Sequence, residues 1–341
     1  MNRNSLTAAV VAAALLGGSL VGCGLMRKNT EALMEPEPDF VLCYGEVNPE
    51  GHIMTDSAQF FADQVKEMSG GKVIIEIYPS GQLGDDARCY QAMQMGALDL
   101  YRGNASSLVE CGDPMITVLA LPYIFRDREH FWNVCGSELG EQILDDIQSS
   151  CGGMIGLAYL DEGARHFFTT DKPITRLSDM KGLTFRMQVS EVMIDTVTAL
   201  GAKALPIAYV ELYSALQAGT VDGAENPAPS YWSNRFYEVA PYYVLDGHTH
   251  SPGVLMASEI TWNQLGEEYQ QILRAAAKKT QEYNKKEIER AEQKALEFLK
   301  NVGVEITEVK DRQAWGDAME PVYRKHGAQF LDLIQEIRNS Y

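Results

Sequence analysis

Residues 70–81 read Gly-Gly-Lys-Val-Ile-Ile-Glu-Ile-Tyr-Pro-Ser-Gly, and this stretch decides the fold class. Gly70-Gly71 stops a preceding helix, Val73 to Tyr78 alternates as a strand, and Pro79-Ser80-Gly81 turns the chain. Upstream, the apolar run Phe40-Val41-Leu42-Cys43-Tyr44 precedes a helix that places Phe60, Phe61, Val65 and Met68 on one face. Downstream, a helix around Ala87 to Met95 stops at Gly96, and Ala97 to Tyr101 reads as the next strand. Strand and helix therefore alternate, which predicts a mostly parallel sheet flanked by helices. Ligands of such sheets bind beyond the carboxyl ends of the strands.

The alternation resumes later. Met154 to Leu160 and Leu183 to Met187 read as strands. Ser190 to Leu200 and Tyr209 to Gln217 read as helices, and Val221 to Ala224 as a short strand. From Gly266 to about Asn301 a long, highly charged helix is expected, then a strand over Val304 to Val309 and a C-terminal helix. About 300 residues is long for a single core, so two α/β lobes are expected. We assign 40–163 plus about 252–291 to lobe I and 164–251 plus about 292–341 to lobe II, the long helix spanning both.

The N-terminus reads as an export signal. Arg3 precedes an apolar stretch from Ala8 to Leu20, too short to span a bilayer, and Leu20-Val21-Gly22-Cys23 follows. That tetrapeptide resembles the lipobox of bacterial lipoproteins. The reading is a signal peptide over 1–22, lipid on Cys23, and a tether over 23–39, giving an extracytoplasmic protein held at the membrane.

The formal charge of the chain is −18, and about −19 once residues 1–22 are removed. That balance argues against nucleic acid as a partner. A few arginines in a cleft can still set a local field for an anion. Beyond Cys23, the cysteines at 43, 89, 111, 135 and 151 are odd in number and form no C-x-x-C or Cys/His cluster. No metal site or cofactor is expected, and the thiols are read as mostly free.

Several spaced motifs carry a family resemblance. They are Gly71-Lys72-Val73 leading to Tyr78-Pro79-Ser80-Gly81-Gln82-Leu83-Gly84, Gly96-Ala97-Leu98-Asp99, Leu121-Pro122-Tyr123-Ile124-Phe125, and Gly163-Ala164-Arg165. Asp179-Met180-Lys181-Gly182-Leu183-Thr184-Phe185-Arg186 and Ala218 to Pro227 complete the set. Together they resemble the solute-binding proteins of tripartite ATP-independent (TRAP) transporters over almost the whole mature chain. The resemblance implies a two-lobe periplasmic-binding-protein fold, capture of a small carboxylate and delivery to TRAP membrane permease subunits.

Arg186 is the first site residue. It ends an apolar strand, and the resemblance implies that it grips a ligand carboxylate. A guanidinium presents two parallel donors where lysine offers one point charge. Arg165, on the connection into the second lobe, is implied to reach the ligand as well, or else to tie the lobes together. Asn226 follows the Val221–Ala224 strand, and its amide both donates and accepts. Gln188 projects on the side of Arg186, two residues on. Tyr209 matches an aromatic position near the family's ligand and His248 a histidine close by. Arg102 and Asn104 follow the Ala97–Tyr101 strand. His52 stands at the mouth of the first helix as a cap or a contact, and Asp85 and Asp86 stand where helix-starting acids are common.

Hydroxyl-competent groups around two arginines point to a polyhydroxylated acid. The stretch Gln188 to Asn226 with Arg102 looks most similar to the sugar-acid branch, and a hexuronate such as glucuronate or galacturonate is the expected ligand. The alternatives are a C4-dicarboxylate or other organic acid, or a ligand-sensing module for a signalling partner. Glu162, Glu225 and Asp222 with nearby histidines offer an acid–base pair in principle. No nucleophile elbow, phosphate loop or metal cluster accompanies them, so an enzyme is not expected.

Overall fold

The computed structural model describes residues 37–112 and 115–340. Cys23 and most of the tether therefore lie outside the described residues. Eleven strands form two sheets among the described residues. They are β1 (Phe40–Gly45), β2 (Val73–Tyr78), β3 (Leu100–Asn104), β4 (Met154–Leu160), β5 (His166–Thr169) and β6 (Thr184–Met187). β7 (Lys203–Pro206), β8 (Gly223–Asn226), β9 (Tyr242–Leu245), β10 (Gly253–Ser258) and β11 (Glu305–Glu308) complete the set.

The first sheet has the order β2-β1-β3-β10-β4 and the second β11-β9-β5-β8-β6-β7. Each sheet is parallel except for one inverted strand. In the first it is β10, antiparallel to β3 and β4; in the second it is β5, antiparallel to β8 and β9. The α/β reading holds, with two mixed sheets flanked by helices.

The inverted strands account for two shifted boundaries. Pairing with β10 carries β3 through to Asn104, so Arg102 and Asn104 lie on the strand rather than after it. Pairing with β5 extends β8 to Asn226, which closes that strand instead of following it. Gly223 marks the tightest point of this pairing: a Cβ there would lie 2.2 Å from the Phe168 carbonyl oxygen and 2.8 Å from the Phe185 ring. Any side chain would push β8 off β5.

The helical run Glu259–Asn301 is broken at Gly266, whose φ of 72° and ψ of 166° no helix contains. The segment after the break spans about 50 Å at helical rise. Its first half packs Leu273, Ala276 and Ala277 against Leu42, Phe61 and Leu255 of the first sheet's layer. Its second half packs Ala295 and Leu299 against Phe168, Tyr243 and Val304 of the second. The helix thus ties both sheets into one body. The C-terminal region differs from the expected single helix, with three short ones over Arg312–Asp317, Glu320–His326 and Leu331–Asn339. Gly327 separates the last two, and it is packed so closely that a Cβ would lie 2.7 Å from Ile334. Among the described residues, none of Cys43, Cys89, Cys111, Cys135 and Cys151 is joined in a disulfide.

Candidate functional site

A cavity of about 370 Å³ opens where the ends of β3, β6 and β8 meet, between residues of both sheets. Its walls include Arg102, Asn104, Arg165, Arg186, Gln188, Tyr209 and Asn226. Seven of the nine residues expected from the sequence are therefore brought together. The other two, His52 and His248, do not line it.

Arg186 projects from β6 and is 2 % exposed. Its Nε donates to the Ile207 carbonyl at 2.8 Å, and its guanidinium lies 5.6 Å from the Tyr209 ring centre. Its Nη1 is buried and has no hydrogen-bond partner. Burial lowers its pKa to about 10, against opposing pulls from Glu225 and Tyr209. A buried cationic donor left unmade is costly, so such a group is poised for an anion. Asn226 Nδ2 is a second buried donor without a partner.

The other two arginines are already neutralised. Arg165 pairs through Nε and Nη2 with the Glu225 carboxylate, Nη2 to Oε1 at 2.9 Å, and its Nη1 lies 3.7 Å from Glu162. Arg102 donates from Nε to Glu46 at 3.0 Å and from Nη1 to Glu162 at 2.6 Å, and its Nη2 also pairs with Glu46. Both are fully buried, and their partners' charges outweigh the desolvation that would lower their pKa. Glu162 and Glu225, weighed above as acid–base groups, thus serve as counter-ions, while Asp222 accepts from the Thr184 N–H at 2.7 Å and fixes the β6 entry. Glu46 was missed entirely. It follows β1 and only its pairing to Arg102 across the sheet reveals it.

The remaining residues hold the walls. Asn104 caps the turn Ala105–Leu108 by accepting from the Ser106 N–H at 3.0 Å, and also accepts from Ser251 at 2.8 Å. Gln188 Oε1 accepts from the Ser106 hydroxyl, which joins β6's end to β3's end across the cavity. Tyr209 accepts from Asn234 at 3.0 Å. Asp85 caps the helix Asp86–Gln94 by accepting from the Arg88 N–H at 3.1 Å, as helix-starting acids do, and both Asp85 and Asp86 border the cavity.

His52 caps the helix Ile53–Met68 by accepting from the Met54 N–H at 3.0 Å, and its other nitrogen meets Ser230 Oγ at 3.0 Å. Both ring nitrogens are used, and burial with Arg102 nearby lowers its pKa to about 3. It supports the wall as a neutral ring.

His248 stands behind Glu225, completely buried, with Nδ1 at 2.7 Å from Asp246 and Nε2 at 3.5 Å from Glu225. Burial would lower its pKa, but Asp246 and then Glu225 raise it to about 9. The folded protein holds this proton more tightly than the unfolded chain, whose histidine titrates near 6.5. Its contribution to stability is therefore complete below that value and is lost as pH rises through about 9. The expected result is that the urea-unfolding advantage of the natural protein over His248→Asn shrinks from pH 6.5 to above 9; a constant gap would contradict it.

No helix among the described residues is long and apolar enough to cross a membrane, and no cluster of metal-ligating side chains occurs among them. The family model for bacterial extracellular solute-binding protein, family 7, matches residues 44–329. A TRAP periplasmic solute-binding protein of a Bradyrhizobium species, solved with α/β-D-galacturonate, is 34 % identical, with a TM-score of 0.84 over 87 % of this chain and 99 % of that one. A second, from Pseudomonas putida F1 with bound D-glucuronate, is 30 % identical with a TM-score of 0.85 over 88 % and 97 %. The C4-dicarboxylate-binding protein DctB of Bacillus subtilis is 32 % identical over 82 % of this chain and 81 % of its own. With its two sheets, spanning helix and arginine-lined cavity, the chain belongs to the family 7 extracellular solute-binding proteins and is a TRAP transporter solute-binding protein, a transport component rather than a member of an enzyme family.

Proposed function

We propose that this protein captures a hexuronate, such as D-galacturonate or D-glucuronate, and hands it to TRAP permease subunits without altering it. One observation carries the reading: Arg186 brings a buried, unpartnered guanidinium nitrogen to a cavity whose other two arginines are already matched by glutamates. A single carboxylate completes that arrangement. Asn226, Gln188, Asn48 and Glu162 line the same space and offer donors and acceptors to hydroxyls. The solved relatives that hold galacturonate and glucuronate support the choice of a sugar acid over a C4-dicarboxylate.

In this reading the lobes, 40–163 plus about 252–291 and 164–251 plus about 292–341, close around the acid. Closure removes water and strengthens each charge-assisted bond. The ligand shifts that equilibrium only through its better contacts in the closed form. His52 and His248 then act from behind the walls.

Calorimetric titration tests the ligand class. Tight binding of galacturonate or glucuronate with weak binding of succinate is expected; the reverse order would overturn the proposal. The same titrations followed by chromatography should recover the acid unchanged.

We further propose that residues 1–22 are removed on export and that Cys23 carries lipid, with 23–39 as a tether. The lipobox-like Leu20-Val21-Gly22-Cys23 supports this. Cys23→Ser is expected to move the protein from the membrane fraction to the soluble extracytoplasmic fraction; unchanged membrane association would contradict it.

A further inference from the structure

We infer that Glu162 and Glu46 make the cavity selective for acids with a single carboxylate, Glu162 being the residue that meets the ligand. This deepens the hexuronate reading and rests on it. Arg102 lines the cavity, and each of its three nitrogens is already committed. Nε and Nη2 go to Glu46, and Nη1 goes to Glu162 at 2.6 Å. Glu46 is itself held in place, because Asn48 donates to its Oε1 from both the backbone N–H and Nδ2 at 2.9 Å. Arg102 is thus presented to a ligand as part of a buried acid–base–acid set, not as a free cation.

A second carboxylate entering the cavity meets that set unfavourably. To pair with Arg102 it must displace Glu162, leaving that buried acid only Arg165 at 3.7 Å, or else join two carboxylates as a third. A hydroxyl faces neither obstacle. Glu162 Oε2 accepts no hydrogen bond among the described residues, and Arg165 Nη1 stands 3.7 Å from it, so a hydroxyl can donate to it. Glu162 thus attracts a –CH2OH group and, with Glu46 behind Arg102, repels a –COO− group in the same place. Specificity here comes from a repulsive element as much as from the attraction of Arg186.

The test uses three six-carbon acids on the purified protein: D-galacturonate, D-galactonate and galactarate. Galactonate and galactarate are open chains that differ at one end, –CH2OH against –COO−. Calorimetry on the natural protein should show galactonate bound at least about 100-fold more tightly than galactarate. In Glu162→Gln, Arg102 loses one acidic partner, and the galactonate-to-galactarate ratio should fall by about tenfold or more through a gain in galactarate binding. Glu46→Gln frees the same guanidinium from the other side and should narrow the ratio likewise, so one folded variant of the two suffices.

Equal binding of galactonate and galactarate by the natural protein overturns the inference, whatever the variants do. A folded variant with an unchanged ratio overturns the role of its glutamate. If galacturonate binds tightly and galactarate does too, the hexuronate reading stands and only this inference falls. If none of the three acids binds, the hexuronate reading falls and takes the inference with it.

Discussion

Arg186→Lys is expected to weaken uronate binding by about 100-fold while the melting temperature stays near that of the natural protein. Each hydrogen bond to a charged partner contributes about 1.5–3 kcal/mol, and lysine keeps the charge but loses the parallel second donor. It also loses the Nε donation to Ile207 at 2.8 Å that aims the fork. Arg186→Ala removes charge and fork together, and a further fall of tenfold or more should follow. Because no protein group partners Nη1 in its buried place, removal of the guanidinium takes away little of what holds the fold together. Calorimetry with galacturonate, set beside thermal melts, separates the two effects. Binding within a factor of three of normal in Arg186→Lys would show that this fork does not hold the ligand.

Glu225→Gln should have the opposite signature, a large loss of stability. Glu225 is completely buried between Arg165, which it holds through both oxygens, and His248, 3.5 Å away. Burial raises its pKa, yet Arg165 and His248 outweigh that and hold it at about 2. Neutralising it takes from buried Arg165 its bidentate counter-ion, leaving only Glu162 at 3.7 Å, and from buried His248 the second of its two carboxylates. Breaking a buried pair by removing one partner costs about 3–5 kcal/mol, and urea unfolding at pH 7 should show a loss of that size. Acid should reproduce part of it: a depressed carboxyl contributes stability above its unfolded value of 4.5, and that is lost as pH falls through about 2. A loss below about 1 kcal/mol in Glu225→Gln would mean the pair is replaceable by neutral hydrogen bonds.

These two substitutions mark the division between what was legible in the sequence and what was not. Arg186 was legible because a strand end places its side chain at the mouth of a sheet and the family resemblance gives that position a ligand carboxylate, and neither step needs a partner distant in sequence. The strand–helix alternation from Phe40 to Tyr101 and the long helix beyond Gly266 were legible for the same reason, being set by local periodicity and glycine stops. The inverted strands β5 and β10 were not. β10 is buried throughout and shows no alternation, and each finds its place only through neighbours far away in the chain. Arg102, Asn104 and Asn226 shifted from loop to strand as a consequence.

The same limit applies to charge. The sequence marks Arg102, Arg165 and Arg186 as candidate site arginines and does not say which are spent. Glu46 lies 56 residues from Arg102, and Glu225 lies 60 from Arg165. Only the folded geometry turns three cations into one that is free. His52 and His248 show the converse: both were expected near the ligand, and both are buried behind the walls, one as a helix cap and one as the partner of Asp246 and Glu225.

A crystal structure of the protein with D-galacturonate tests the central claim most directly. The account predicts the sugar acid's carboxylate seated on Arg186, with Nη1 donating to one of its oxygens and Asn226 Nδ2 within reach of the ligand. A carboxylate bound elsewhere in the cavity, with Arg186 Nη1 still lacking a partner, would contradict it.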